Sequence, residues 1–174
     1  MATVFLHDKP FVLNPNAEPT SLEAKRPPMD NGLDVPSPDR YYSREFMALE
    51  WRSLWPRVWL LAGVTSDIRE EGDYTVFDIG HESVVLVRQK DGSIRAFHNV
   101  CPHRGNKIAL NESGSVERFT CAFHGWRFCT DGKLDHITDE ECFHPALLNP
   151  RPRLSEVRCD QIGGLIFVNL NGKA

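Results

Sequence analysis

Two short segments constrain this chain more than any other feature: Cys101-Pro102-His103-Arg104-Gly105 and Cys121-Ala122-Phe123-His124-Gly125-Trp126. Each carries one thiol and one imidazole, as C-x-H and C-x-x-H, with residues 104–120 between them. Both follow runs that read as strands, so both read as loops at strand ends. Two such loops can converge on one metal centre. Zinc accepts two Cys and two His in a tetrahedral site. The common zinc-finger order, however, is two Cys followed by two His on a helix, whereas here each loop carries one of each. That arrangement suits a two-iron centre, with Cys101 and Cys121 on one iron and His103 and His124 on the other. Two neutral imidazoles in place of two anionic thiolates make such a centre less negative and raise its reduction potential. Each imidazole also keeps a second ring nitrogen that can titrate, which couples electron uptake to protons.

The pattern around the loops is that of a β domain. VWLLAG (58–63), YTVFDIG (74–80), SVVLVRQ (83–89) and SIRAFHNV (93–100) are rich in β-branched and aromatic residues. Asp91-Gly92 is a type I′ hairpin signal, and Asp131-Gly132 joins WRFCT to KLDHI. EVRCD (156–160) and LIFVNL (165–170) are joined across Gly163-Gly164. Residues 43–55 predict one helix, capped by Ser43, with Phe46, Leu49 and Trp55 as its apolar stripe and Pro56 as its stop. Seven of the twelve prolines lie in residues 1–38, a density no regular element survives. The expected organisation is an extended or disordered arm at 1–38 and a mainly β, antiparallel domain at 39–174, its metal-binding loops near 101–105 and 121–126.

Composition narrows the function. With 20 Lys+Arg against 24 Asp+Glu the chain is acidic, unlike a protein held to nucleic acid by phosphate contacts. No apolar run approaches the roughly 18–20 residues that span a bilayer, so no membrane is expected. The N-terminus, MATVFLHDKPFVL, lacks the basic and apolar regions of a secretory signal. A cytoplasmic location follows as the default, and there cysteines serve as ligands or buried thiols. Cys129, Cys142 and Cys159 read as spare thiols, His98 as a packing or hydrogen-bonding residue, and His136 and His144 as surface residues. Arg104, Lys107, Arg118 and Arg127 outnumber Glu112 and Glu117 within 101–127, which reads either as a docking face for an acidic electron donor or as merely solvated charges.

CPHRG and CAFHGWRF resemble the Rieske domain of ring-hydroxylating oxygenase α subunits. So do the flanks: Trp55-Pro56, Gly72-Asp73-Tyr74, Phe97-His98-Asn99-Val100 and the closing Gly164-Leu165-Ile166-Phe167-Val168-Asn169-Leu170. The resemblance covers roughly 39–171. It implies a Rieske-type antiparallel β-sandwich with a small cluster-binding subdomain, and a [2Fe-2S] cluster held by Cys101, His103, Cys121 and His124. Arg104, Gly105, Gly125 and Trp126 are implied to stand around it. Asn106 and Phe123 hold the positions of the extra cysteines found in Rieske proteins of respiratory complexes, and Trp126 stands where those place Ser. These departures imply a low-potential, oxygenase-type centre.

The resemblance further implies a ferredoxin or NAD(P)H-dependent reductase as electron donor and an oxygenase catalytic domain as acceptor. That domain carries a mononuclear Fe(II) on a 2-His-1-carboxylate triad. No such triad can be read in this chain, so no residue is assigned a catalytic role and the mononuclear iron is expected on a domain outside it. The expected function is an electron-transfer module of an aromatic ring-hydroxylating oxygenase. The alternatives are a stand-alone Rieske ferredoxin-like carrier and a zinc-stabilised interaction module.

Overall fold

The computed structural model of the chain describes residues 35 and 37–172. The expected arm at 1–38 therefore lies almost entirely outside the described residues. Two units divide between Met47 and Ala48. In the first, a single turn at Asp39–Tyr42 (α1) is tied by the Tyr42 hydroxyl, which donates to Asp39 at 2.6 Å. The helix Arg44–Ser53 (α2) starts in this unit and runs into the second. Ser43 caps it as expected, its Oγ accepting the Phe46 N–H at 3.2 Å. Pro56 lies in the 3-10 turn Trp55–Arg57 that follows.

The contact face of α2 differs from the expected stripe. Leu49 is exposed, and it is Trp51 whose ring meets the His81 ring, with centroids 4.1 Å apart. A Cβ on Gly80 would lie 2.5 Å from that same indole. The helix end is thus seated on a glycine turn by one large ring, and a periodic stripe is not required for that.

Seven strands form one antiparallel sheet: β1 (Leu60–Val64), β2 (Asp73–Ile79), β3 (Glu82–Arg88), β4 (Ile94–His98), β5 (Ser113–Ser115), β9 (Glu156–Ile162) and β10 (Leu165–Asn169). Their order is β1-β10-β9-β4-β3-β2-β5. A second sheet of three contains β6 (Arg118–Thr120), β7 (Arg127–Cys129) and β8 (Leu134–His136). The mainly β, antiparallel class is as expected. The two layers of the large sheet are continuous through a short β4–β9 register, Ala96 opposite Val157 and Phe97 opposite Glu156.

β3 shows why these layers exist. Its Val84-Val85-Leu86-Val87 run is fully buried on both faces rather than alternating. Val84 and Leu86 join one core with Leu60, Ile166 and Val168, inside the curl of the large sheet. Val85 and Val87 join a second core with Phe97, Phe128, Trp126, Cys101 and Cys121, between the large sheet and the small one. A strand covered on both sides reads as a continuous apolar run.

The turns revise one expectation. At Asp91-Gly92 only the glycine has positive φ (+81°), the Gly92 N–H bonds to the Gln89 carbonyl at 3.0 Å, and the Gln89 N–H bonds to the Ser93 carbonyl at 2.8 Å. This is a type I turn followed by a left-handed glycine, not type I′. Asp131-Gly132 repeats the arrangement. The Asp side chain explains it, accepting the N–H two residues on: Asp91 from Ser93 and Asp131 from Lys133. Positive φ at both central residues appears instead at Gly163 (+56°) and Gly164 (+85°), between β9 and β10.

Candidate metal centre

The first loop leaves β4 and the second leaves β6, and both close in the same way. The Gly105 N–H bonds to the Cys101 carbonyl at 2.9 Å and the Cys101 N–H to the Asn106 carbonyl at 2.7 Å. In the second loop the Gly125 N–H bonds to the Cys121 carbonyl at 3.0 Å and the Cys121 N–H to the Trp126 carbonyl at 2.8 Å. Each turn ends on a left-handed glycine, with φ of +78° at Gly105 and +71° at Gly125. Such a conformation costs most residues roughly 1–2 kcal/mol, which accounts for the glycine. At Gly125 space also matters, because a Cβ would lie 2.6 Å from Thr138 Oγ1.

The four candidate ligands are brought together as two pairs. Cys101 and Cys121 are both 2% exposed and hydrogen-bonded to each other. The His103 and His124 rings meet edge to face, with centroids 4.7 Å apart. Among the described residues no three His, Cys, Asp or Glu side chains are grouped to hold a single ion. His124 Nδ1 is buried and has no hydrogen-bond partner among the described residues. Buried polar atoms are rarely left so, and a metal would satisfy this one. The donor set therefore fits a two-metal centre with thiols on one side and imidazoles on the other.

Local electrostatics distinguish the two thiols. Burial pushes Cys101 up, and its hydrogen bond to Cys121 adds to the rise, against the backbone N–H groups of His103 and Arg104. Burial acts upward on Cys121 too. There the N–H groups of Phe123 and His124, with the side chains of Cys101 and Asn106, outweigh it and bring the thiol below its usual value. Burial, followed by the nearby charges of His124 and Arg104, keeps His103 below the ordinary imidazole value.

The surrounding residues fall into place unevenly. Trp126 is 4% exposed and stacks flat on His103, with centroids 4.7 Å apart and planes 4° apart. Phe143 packs edge-on against both rings. Arg104 is exposed and makes no ion pair among the described residues. The other three bases of the expected docking face pair with carboxylates outside the 101–127 segment, and Arg118 also with Glu117 inside it. Lys107 pairs with Asp78 at 3.5 Å, and Asp135 takes both Arg118 (3.1 Å) and Arg127 (3.6 Å). Asp78 and Asp135 offset the local excess of positive charge in the folded chain.

His98 pairs with Glu82 at 3.2 Å, and His136 and His144 are exposed. Cys142 is exposed, whereas Cys129 and Cys159 are half-buried. Burial, with the neighbouring Asp160, pushes Cys159 up to about 11, so it stays a thiol.

Sequence reasoning assigned no contact to three supporting residues. The buried Asn99 side chain accepts from the N–H groups of Ile108 (3.0 Å) and Ala109 (2.8 Å) and donates to the Ala109 carbonyl and to Ser83. It clamps the segment that follows the first loop. Asn106 reaches from the first loop to Cys121. Phe143 lies 22 residues beyond Cys121 and carries no local signal. For Asn99 the available signal was a polar residue ending an apolar strand.

Comparison with known proteins bears on the same residues. Residues 58–154 match the family description of the Rieske [2Fe-2S] domain. The chain is 37% identical over 132 residues to a chlorobenzene dioxygenase subunit alpha from Cupriavidus sp., covering 76% of this chain and 29% of the relative. It is 36% identical over 137 residues to a benzene 1,2-dioxygenase subunit alpha from Pseudomonas putida, covering 79% and 30%. Among solved structures, naphthalene 1,2-dioxygenase with indole bound in the active site is similar, with a TM-score of 0.69 and 36% identity over 75% of this chain and 30% of that one. The chain thus spans about 30% of the length of the curated relatives it matches.

Proposed function

The chain belongs to the Rieske [2Fe-2S] domain family, and from that premise we propose that it is the electron-transfer module of an aromatic ring-hydroxylating oxygenase. Cys101 and Cys121 hold one iron of the cluster, and His103 and His124 hold the other. Bound there, the cluster supplies a one-electron acceptor and donor. The observation that carries this reading is the sorting of the four donors into a thiol pair and an imidazole pair, with His124 Nδ1 buried and without a partner.

The chain's own residues set the conditions for that chemistry. Backbone N–H groups of both loops point at the two sulfurs and stabilise negative charge on them. Trp126 and Phe143 pack against two sides of the His103 ring and fix its orientation. Gly105 and Gly125 let each loop turn back on its own cysteine carbonyl.

Electrons arrive from a ferredoxin or an NAD(P)H-dependent reductase and leave for the mononuclear iron of an oxygenase catalytic domain, the kind of domain that Rieske oxygenase relatives carry. The dioxygenase names of those relatives favour an aromatic substrate for the parent enzyme. The five unpaired thiols suit a reducing compartment, and we place the module in the cytoplasm.

The test is metal analysis and EPR on the anaerobically purified chain. Two irons per chain and a rhombic signal on reduction are expected. The signal should disappear in His103→Ala and His124→Ala and persist in His98→Ala. Bound zinc without a signal, or an unchanged signal in His103→Ala, would overturn the assignment.

A further inference from the structure

Asn106 stands between the two loops and contacts both. Its backbone carbonyl accepts the Cys101 N–H at 2.7 Å. Its side-chain nitrogen lies 3.0 Å from the Lys107 carbonyl and 3.9 Å from Cys121 Sγ, within the longer reach of a hydrogen bond to sulfur. The orientation of the amide is settled by chemistry. A carbonyl oxygen only accepts, so the end facing Lys107 is the NH₂ group, and that group has a second N–H to direct at the sulfur.

No corresponding side chain reaches Cys101 among the described residues. Its sulfur receives the N–H groups of His103 and Arg104 and the contact with Cys121. The Cys121 sulfur receives two N–H groups from its own loop and one more from the other.

We propose that Asn106 is a positioning residue that ties the second-loop thiolate to the first loop and raises the reduction potential of the centre through its N–H···S hydrogen bond. This rests on the ligand assignment above. The added electron makes the ligand sulfurs more negative, so a donor to Cys121 stabilises the reduced form more than the oxidised one. Among the described residues no other side-chain N–H is bonded to the Cys121 sulfur.

The experiment is a redox titration of the full chain, read by the EPR amplitude of the reduced centre. Asn106→Leu keeps the size and removes the donor. At a fixed applied potential its reduced-to-oxidised ratio should fall about fivefold, the worth of one such hydrogen bond, which is about 40 mV downward for a one-electron couple. Asn106→Asp keeps the shape, removes the donor and adds a negative charge, and its ratio should fall further. Midpoints equal to wild type in both variants would overturn the proposal.

If neither variant takes up iron, the unmodified chain decides. Labelled with ¹⁵N in its asparagine side chains, it should show ¹⁵N modulation in pulsed EPR, because among the described residues Asn106 is the only asparagine side chain bonded to a candidate ligand. Absence of that modulation in a chain with a normal rhombic signal would contradict the proposal. Absence of the rhombic signal itself would instead defeat the ligand assignment.

Discussion

The loops at Cys101–Gly105 and Cys121–Gly125 share one backbone turn and little else. In both, the glycine four residues on bonds to the cysteine carbonyl, and the cysteine N–H bonds to the carbonyl five residues on. The histidine is third in one loop and fourth in the other. Equal turns present one thiol from each loop, and the two rings meet edge to face. Their surroundings diverge. The first loop's imidazole is stacked on the buried Trp126, and the second's lies against Phe123, which is 58% exposed. The first loop runs on into a segment clamped by Asn99, and the second runs directly into β7. Equivalent geometry is thus maintained by different means: side-chain clamping and stacking for the first loop, sheet continuity for the second.

The stacking difference should give the largest stability effect. Trp126→Leu removes a buried ring and should cost about 3–4 kcal/mol in chemical denaturation. Phe123→Leu, on the open side, should cost less than about 1 kcal/mol. Equal costs would erase the distinction.

The clamp comes next. Asn99→Ala strands the buried N–H groups of Ile108 and Ala109 and should cost about 2–3 kcal/mol. Hydrogen exchange at those two amides should quicken while the second-loop amides stay protected.

The glycines sharpen the comparison further. Gly105→Ala meets only backbone strain, about 1 kcal/mol, because nothing lies within 4 Å of its Cβ position. Gly125→Ala adds a clash with Thr138 Oγ1 and should cost about twice as much. Adding Thr138→Ala should bring Gly125→Ala back to the level of Gly105→Ala.

The smallest effect belongs to the ion pairs. Asp135→Asn removes the carboxylate shared by Arg118 and Arg127 and should shift stability by less than about 0.5 kcal/mol at physiological salt. Its measurable consequence is a stronger dependence on ionic strength when an acidic donor reduces the chain, since one negative charge beside two arginines is lost.

How much of this was legible beforehand follows the range of each interaction. The longer strands and the positions of their turns could be read because residue type and spacing along the chain encode them, whereas β5 (Ser113–Ser115), Ser-Gly-Ser, carries no strand signal. The type of the Asp-Gly turns was misread because the aspartate side chain captures the N–H two residues ahead, which favours a type I turn and leaves positive φ to the glycine alone. The helix contact was misread because one ring on Gly80 replaces a stripe. Asp78 and Asp135 were invisible as counter-charges to the basic segment, because only the fold brings them to it. The same holds for Phe143 and for the reach of Asn106 across the loops. A single sequence carries no signal for pairs that meet only after the two sheets stack.

The central claim is that two thiols hold one iron and two imidazoles the other. It is tested most directly by Mössbauer spectroscopy of the ⁵⁷Fe-loaded chain. The account predicts two doublets of equal area with different isomer shifts, one from a sulfur-rich site and one from a nitrogen-ligated site. A single doublet, with both irons alike, would contradict it.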